Sequence, residues 1–250
     1  MKNPFVRLLI YFLLFICILS CKKAKDRSCL KASGKMGTKE ISVPAFTKLE
    51  LYENIEYVLI QDSLNKVVLI GGENLLNQIS ITYSDETLTI KDMNTCNFLR
   101  SYRKKLIAEI HFKSISVVNY FGTKPLTNIG TLQLTDFSLN FNEGSGSVVL
   151  DINSDVVHAN ISNGYGDFTL RGLVNYADIK VNGNGYCDTY ALLVTDSISI
   201  VSNTVGSLKI NADNLDLRAE TKNGGNIYYL GDPSIKIFNK YGTGDLIKSN

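Results

Sequence analysis

The sequence predicts an all-β protein: a β-solenoid, β-helix-like, with about six regular coils of about 20 residues, preceded by a less regular β segment. Three observations predict it. A glycine turn recurs as Glu143-Gly144-Ser145-Gly146, Asn163-Gly164-Tyr165-Gly166, Asn182-Gly183-Asn184-Gly185, Asn203-Thr204-Val205-Gly206, Asn223-Gly224-Gly225 and Tyr241-Gly242-Thr243-Gly244. The last glycines of these turns stand 20, 19, 21, 19 and 19 residues apart. Two positions after each comes Val148, Phe168, Cys187, Leu208, Ile227 or Leu246, inside a short stretch that alternates apolar with polar residues. Alternation marks a strand with one buried face. A repeat of this length means that one unit stacks on copies of itself, because no single unit can bury its apolar face alone.

In chain order, Lys2 and Arg7 precede an apolar run from Leu8 to Leu19. That run is shorter than the roughly 20 residues a membrane span needs, and with its basic start it reads as an export signal. Ile18-Leu19-Ser20-Cys21 resembles the lipobox of bacterial lipoproteins, in which the chain is cut before the cysteine and that cysteine is acylated. Residues 1–20 are therefore expected to be the signal peptide, with Cys21 as the lipidation site and the lipid as the contact with the membrane. The folded part then lies outside the cytoplasm.

Residues 21–40 read as a basic tether, carrying Lys22, Lys23, Lys25, Arg27, Lys31, Lys35 and Lys39 against Asp26 and Glu40. Such a run adheres to anionic headgroups or serves as a solvated linker. From residue 41 onward 17 basic side chains face 22 acidic ones, a net charge of −5, which argues against nucleic acid as a partner. Of the cysteines beyond the anchor, Cys187 falls at an inward strand position, where a thiol behaves as a small hydrophobe. Cys29 and Cys96 are available to pair in an oxidising compartment, but spacing alone does not bring them together.

Residues 41–250 form one domain, since no Gly/Ser or Pro-rich linker divides them. Residues 41–114 supply strands around Leu49, Tyr57, Leu69, Ile81, Leu88 and Ile110, a helical turn at Asn74–Asn77 and a hairpin at Ser84-Asp85-Glu86. Residues 93–105 form a loop, with Arg100, Tyr102, Arg103, Lys104 and Lys105. The coils follow over 115–250. Each has an outgoing strand after the glycine turn, a second turn such as Asn153-Ser154-Asp155 or Asp213-Asn214, and a return strand. The inward residues of the return strands are expected to be Phe137/Leu139/Phe141, Val157/Ala159/Ile161, Ala177/Ile179/Val181, Ile198/Ile200, Leu215/Leu217 and Ile235/Ile237.

Residues that carry chemistry are scarce. His111 and His158 fall at outward strand positions, no nucleophile elbow or phosphate loop is present, and no catalytic residue, metal ligand or cofactor is assigned. Gly164-Tyr165-Gly166-Asp167 is similar to calcium-binding β-roll repeats, but those have a period of about nine and this chain does not. The turn glycines Gly144, Gly146, Gly164, Gly166, Gly183, Gly185, Gly206, Gly224, Gly225, Gly242 and Gly244 are expected to serve the positive φ of the turns. Asn142, Asn163, Asn182, Asn203 and Asn223 are placed to form an amide ladder from coil to coil. Tyr165, Tyr186, Tyr190, Tyr228 and Tyr241 lie in or near the turns, where aromatic faces make a platform for a carbohydrate or protein ligand.

Phe46-Thr47-Lys48-Leu49-Glu50-Leu51, Val67 to Leu76 with its Gly71-Gly72-Glu73-Asn74, the hairpin ending Thr87 to Ile90 and the Gly-x-Gly coils resemble the putative auto-transporter adhesin family with a head GIN domain. The resemblance covers roughly residues 41–248 and implies the solenoid fold and a lipoprotein of the bacterial envelope. It carries no functional residues. The expected role is a lipid-anchored, adhesin-like binding or scaffold module at the outer membrane, not an enzyme. A carbohydrate-active enzyme on a parallel β-helix would need clustered acids, and a purely structural envelope protein would have no ligand patch. The last coil leaves an open edge, expected to be covered by the N-terminal β segment or by a second copy in a homodimer.

Overall fold

A computed structural model describes residues 32–94 and 105–249. The signal peptide, Cys21, Cys29, Cys96 and the basic residues 100–104 lie outside the described residues. The first strands are β1 (Met36–Ser42), β2 (Lys48–Glu53), β3 (Glu56–Gln61) and β4 (Lys66–Gly72). One helical turn, α1 (Glu73–Leu76), leads to β5 (Ile79–Ser84), β6 (Thr87–Asp92) and β7 (Ile107–Phe112). The repeats comprise β8 (Val117–Gly122), β9 (Leu126–Ile129), β10 (Leu132–Gln133), β11 (Asp136–Asn142), β12 (Ser147–Asn163) and β13 (Asp167–Gly183). They continue through β14 (Tyr186–Thr189), β15 (Leu192–Thr204), β16 (Leu208–Asn211), β17 (Asp216–Thr221), β18 (Ile227–Leu230), β19 (Ile235–Lys240) and β20 (Leu246–Lys248).

The strands stack as a β-solenoid of about 7 turns with two walls. The first wall runs in the order β5, β6, β2, β8, β11, the later halves of β12, β13 and β15, then β17 and β19. The second runs β1, β4, β7, β3, β9, the earlier halves of β12 and β13, then β14, β16, β18 and β20. From β6 and β7 onward every pairing is parallel. The spacing of the glycine turns sets the register residue for residue: Val148, Phe168, Cys187, Leu208, Ile227 and Leu246 pair in one column. A single apolar core fills the space between the walls, from Leu88 and Leu69 at one end to Leu217 and Ile227 at the other.

The segment expected to be irregular belongs to the same stack. β2 and β3 form a coil that sits between β6 and β7 on one side and β8 and β9 on the other. The chain therefore builds one coil, goes below it, and returns above it, an order invisible to a search for period. α1 and the β5–β6 hairpin stand where expected, with Asp85 and Glu86 both at positive φ (49° and 61°), as a two-residue type I′ turn demands. β1 starts at Met36, so the end of the stretch read as tether is in fact an edge strand paired antiparallel with β4.

Two further expectations are corrected. Asn153-Ser154-Asp155 does not interrupt its strand, and neither does the corresponding Thr195-Asp196-Ser197; the buried Ser154 hydroxyl lies within hydrogen-bond distance of the carbonyls of Thr135 (2.9 Å) and Val156 (2.8 Å), with one proton to share between them. In the last coil the alternation is reversed. Lys236 pairs with the inward Leu217, while Ile235 and Ile237 point outward, 53% and 45% exposed. Phe238 takes the half-buried place against the core. The Lys236 ammonium reaches the Tyr229 hydroxyl of the opposite wall (3.3 Å), so this side chain lies across the open end of the core. Nor does the N-terminal strand cover that end, since β1 pairs with β4 at the other end of the stack.

Candidate binding surface

The turn ridge is built by contact more than by dihedral angle. Of the turn glycines only Gly164 (φ 137°) and Gly183 (φ 85°) need the left-handed region. Gly206, Gly225 and Gly244 stand in a column where an added Cβ would lie 2.4, 2.2 and 2.3 Å from the carbonyl oxygen of the glycine one coil below. Gly166 is held by a different neighbour, the Phe141 ring, 2.0 Å from where its Cβ would be. The expectation of positive φ is thus replaced, at most of these positions, by close approach of stacked backbones. Gly172, which the periodicity did not pick out, combines both reasons: φ is 111° and a Cβ would meet the Ile152 carbonyl at 2.1 Å.

Buried hydroxyls tie the turns to the core. Thr204 Oγ1 donates to the Gly185 carbonyl (2.7 Å), Ser202 Oγ to that of Gly225 (2.9 Å) and Thr221 Oγ1 to that of Gly244 (3.0 Å). The amide ladder exists in one step, from Asn203 Nδ2 to Asn182 Oδ1 (3.1 Å). One coil lower Asn182 donates to the Ile161 carbonyl, and Ser162 takes the next place, donating to Asn142 Oδ1 (2.6 Å).

The register separates the five tyrosines. Tyr165 and Tyr241 are the most exposed, at 74% and 72%, and they sit on turns four coils apart, about 19 Å at 4.8 Å per coil. Tyr186 follows the next turn on the second wall, opposite Asp167; partial burial, and then the Asp167 charge and hydrogen bond, raise its phenol above the ordinary value. Tyr228 pairs with Lys209 in the outward column that also holds Asp188. Tyr190 lies at the second corner, its hydroxyl bonded to Ser249 Oγ (2.7 Å) and Lys209 over its ring.

A different aromatic site emerges on the first wall. Tyr52 of β2 and Phe121 of β8 are register partners, and their outward rings stack with centroids 4.4 Å apart and planes 7° from parallel. Lys91 of β6 sits over the other face of Tyr52, 4.1 Å from its centroid. The column then ends. Beyond Phe121 the neighbouring strand β11 offers Asn142 in place of a ring. Alongside runs a polar column in which Glu50 accepts from Thr89 Oγ1 (3.2 Å) and Asn140 Nδ2 donates to Asn119 Oδ1 (3.0 Å). Sequence reading missed this site because Tyr52 and Phe121 are far apart along the chain, and the only signal was an aromatic at an outward position of each strand.

Several ionisable groups elsewhere are paired locally. His111 Nδ1 is 3.0 Å from Asp62 Oδ2, and this hydrogen bond, with that from the Ser63 amide, lowers the Asp62 carboxyl below its ordinary range. His158 faces Asp178 at 3.4 Å, and Asp178 also bridges to Lys180 at 2.7 Å. Cys187 is buried and free, with its thiol pushed up to about 12 by burial.

The model of one family, described as putative auto-transporter adhesin, head GIN domain, matches residues 45–233. The chain belongs to this family. Solved structures of similar fold include a putative adhesin of Bacteroides fragilis NCTC 9343, with TM-score 0.77 and 21% identity over 88% of this chain and 100% of that one. A putative adhesin of Parabacteroides distasonis ATCC 8503 follows at TM-score 0.62 and 20% identity, over 87% and 99% of the two chains. A third, from the same organism, is described as a putative lipid binding protein, at TM-score 0.60 and 19% identity over 88% and 100%. No curated protein matches the chain. At 19–21% identity these neighbours share the fold.

Proposed function

We propose that this family member is a binding module of the bacterial envelope, anchored by a lipid on Cys21 and presenting its first wall to saccharide, without a catalytic step of its own. The carrying observation is the column Lys91, Tyr52, Phe121, which ends on an aromatic ring beside the amides of Asn142, Asn119 and Asn140 and the carboxylate of Glu50. Sugar rings have an apolar C–H face that packs on an aromatic ring, and hydroxyls at their rim that exchange hydrogen bonds with amides and carboxylates. Backbone pairing across a parallel sheet holds these side chains at fixed spacing, which limits the ordering cost of binding. Tyr165, Tyr186 and Tyr241 on the turn ridge extend the surface available to a polymer. The adhesin description of the family supports the same reading.

The test pairs localisation with binding. In fractionated and protease-shaved cells, wild type is expected with the envelope and Cys21→Ser in the soluble or unprocessed pool; a variant that still partitions with membranes overturns the anchor. The purified protein is expected to bind envelope polysaccharide, with Phe121→Ala and Tyr52→Ala each weakening binding about 5- to 30-fold, the loss of one aromatic contact of about 1–2 kcal/mol. Undiminished binding by Phe121→Ala would remove the saccharide site from this wall.

A further inference from the structure

The last coil of the solenoid reverses the alternation that the coils before it keep on the first wall from β8 to β17. Its two strands, β19 and β20, are paired on one side only, with β17 and β18, so each presents a row of unpaired backbone donors and acceptors. Unpaired edges template the addition of another strand unless charge or shape blocks it. Here the nearby charges are already engaged within the coil: Lys240 with Asp245, Lys248 with Asp232, and Lys236 with the Tyr229 ring and hydroxyl. The outward side chains are apolar instead, with Ile235 and Ile237 on β19 and Ile247 on β20, at 53%, 45% and 36% exposure. Phe238 and Leu246 remain half-covered at the end of the core.

We propose that the occupant of this end is a second copy of the chain, joined through a two-fold axis normal to both walls. Rotation about such an axis sets β19 antiparallel to the partner's β19 in the plane of the first wall. The same rotation sets β20 antiparallel to the partner's β20 in the plane of the second. One axis must therefore serve both edges. Lys236 reaches Tyr229 across the core and Tyr229 pairs with Lys248, so Lys236 and Lys248 lie at matching positions on the two walls; Ile237 and Ile247, each one residue nearer the turn, match likewise, and an axis through one passes by the other.

The register follows from charge, because like charges directly opposite destabilise a strand pair. An axis at Lys236 faces two lysines across the pair. At Phe238 it faces Lys236 with the partner's Lys240, and at Asn239 the corresponding point is Asp245, just before β20, which falls against its own copy. At Ile237 no like charges face. Ile237 and Ile247 each meet their own copies on the outer surfaces, Lys236 lies opposite the partner's Phe238, and Leu246 opposite the partner's Lys248. A lysine opposite an aromatic or aliphatic side chain lays its stem along it and gains a cation–π contact where a ring is present. This interface is isologous and closes at two copies, because it pairs the β19 and β20 edges of both.

Single cysteines on the axis test the assignment directly. In the full chain with Cys17, Cys21, Cys29 and Cys96 changed to Ser, which leaves only the buried Cys187, Ile237→Cys and Ile247→Cys are each expected to form disulfide-linked dimers, while Tyr165→Cys, at a more exposed position, stays a monomer on denaturing gels. Light scattering at about 1 to 100 µM, where a micromolar association is visible, is expected to give a dimer mass for the unsubstituted surface. Ile237→Lys or Ile247→Lys is expected to give a monomer with an unchanged melting curve; having both variants covers the case in which one folds poorly. A monomer mass throughout this range, cross-linking no greater than that of Tyr165→Cys, or a dimer that survives both lysine variants overturns the proposal. Phe121→Ala leaves this end untouched, so failure of the saccharide site and failure of the dimer are separable.

Discussion

Gly224 and Gly225 are adjacent in sequence and equal in composition, yet their surroundings differ. A Cβ on Gly225 would lie 2.2 Å from the Gly206 carbonyl oxygen and 2.7 Å from that of Thr204, both backbone atoms of the stack. A Cβ on Gly224 would meet only the Thr243 hydroxyl at 3.5 Å, and the residue is not in the left-handed region. Gly225→Ala is therefore expected to cost about 2 kcal/mol or more, since overpacking against backbone cannot relax by a rotamer change, and Gly224→Ala less than about 0.5 kcal/mol. Urea denaturation of the two variants measures the difference. Equal losses would mean that close stacking against the carbonyls below does not explain the turn glycine at 225.

At the scale of the element, the glycine turns are fastened by hydroxyls in place of apolar side chains. The inward column that begins with Phe141, Ile161 and Val181 continues as Ser202 and Thr221, and these two donate to the carbonyls of Gly225 and Gly244. Burial makes each bond matter, because a buried carbonyl left without a donor carries its full desolvation penalty. Thr221→Val keeps shape and removes the donor, and is expected to destabilise the protein by about 1–3 kcal/mol. Hydrogen exchange should localise the loss to the coil around Gly244. The same substitution at the exposed Thr243 has no such partner to lose, and an equal effect there would sink the fastening role.

The whole molecule hides several acidic hydrogens that would ionise at high pH. Burial pushes the Cys187 thiol up to about 12 from 9.0 and raises the Tyr57 phenol well above 10.0; Tyr120, packed edge-on against both Tyr57 and Phe141, is raised as well. All three are neutral in the fold and more readily ionised when unfolded. Below about pH 9 their contribution is fully present, and as pH rises through 9 to 12 the unfolded chain loses protons first and stability falls. Thermal melts are expected to be flat from pH 7 to about 9 and to drop steeply above it. Cys187→Ala should move the onset toward the tyrosine range; an unchanged profile would mean the thiol is not protonated by burial. In the proposed dimer the described N-terminal strands lie at opposite ends, each about 50 Å from the axis given eleven strands in the second wall at 4.8 Å.

The sequence by itself determined the fold class, the six glycine turns and the register of the coils, because a parallel stack with a buried interior writes its period directly into glycine and apolar spacing. Val148 to Leu246 pair in the column that counting predicts. Only the tertiary structure decided three matters. β2 and β3 lie between strands that come later in the chain, and no local pattern encodes which coil a strand joins. The reversal at Lys236, Ile235 and Ile237 arises because the last coil has no neighbour to bury against, so inside and outside lose their contrast there. The stacked Tyr52 and Phe121 needed the register between distant strands, since a surface column is assembled across the stack while the sequence runs around it.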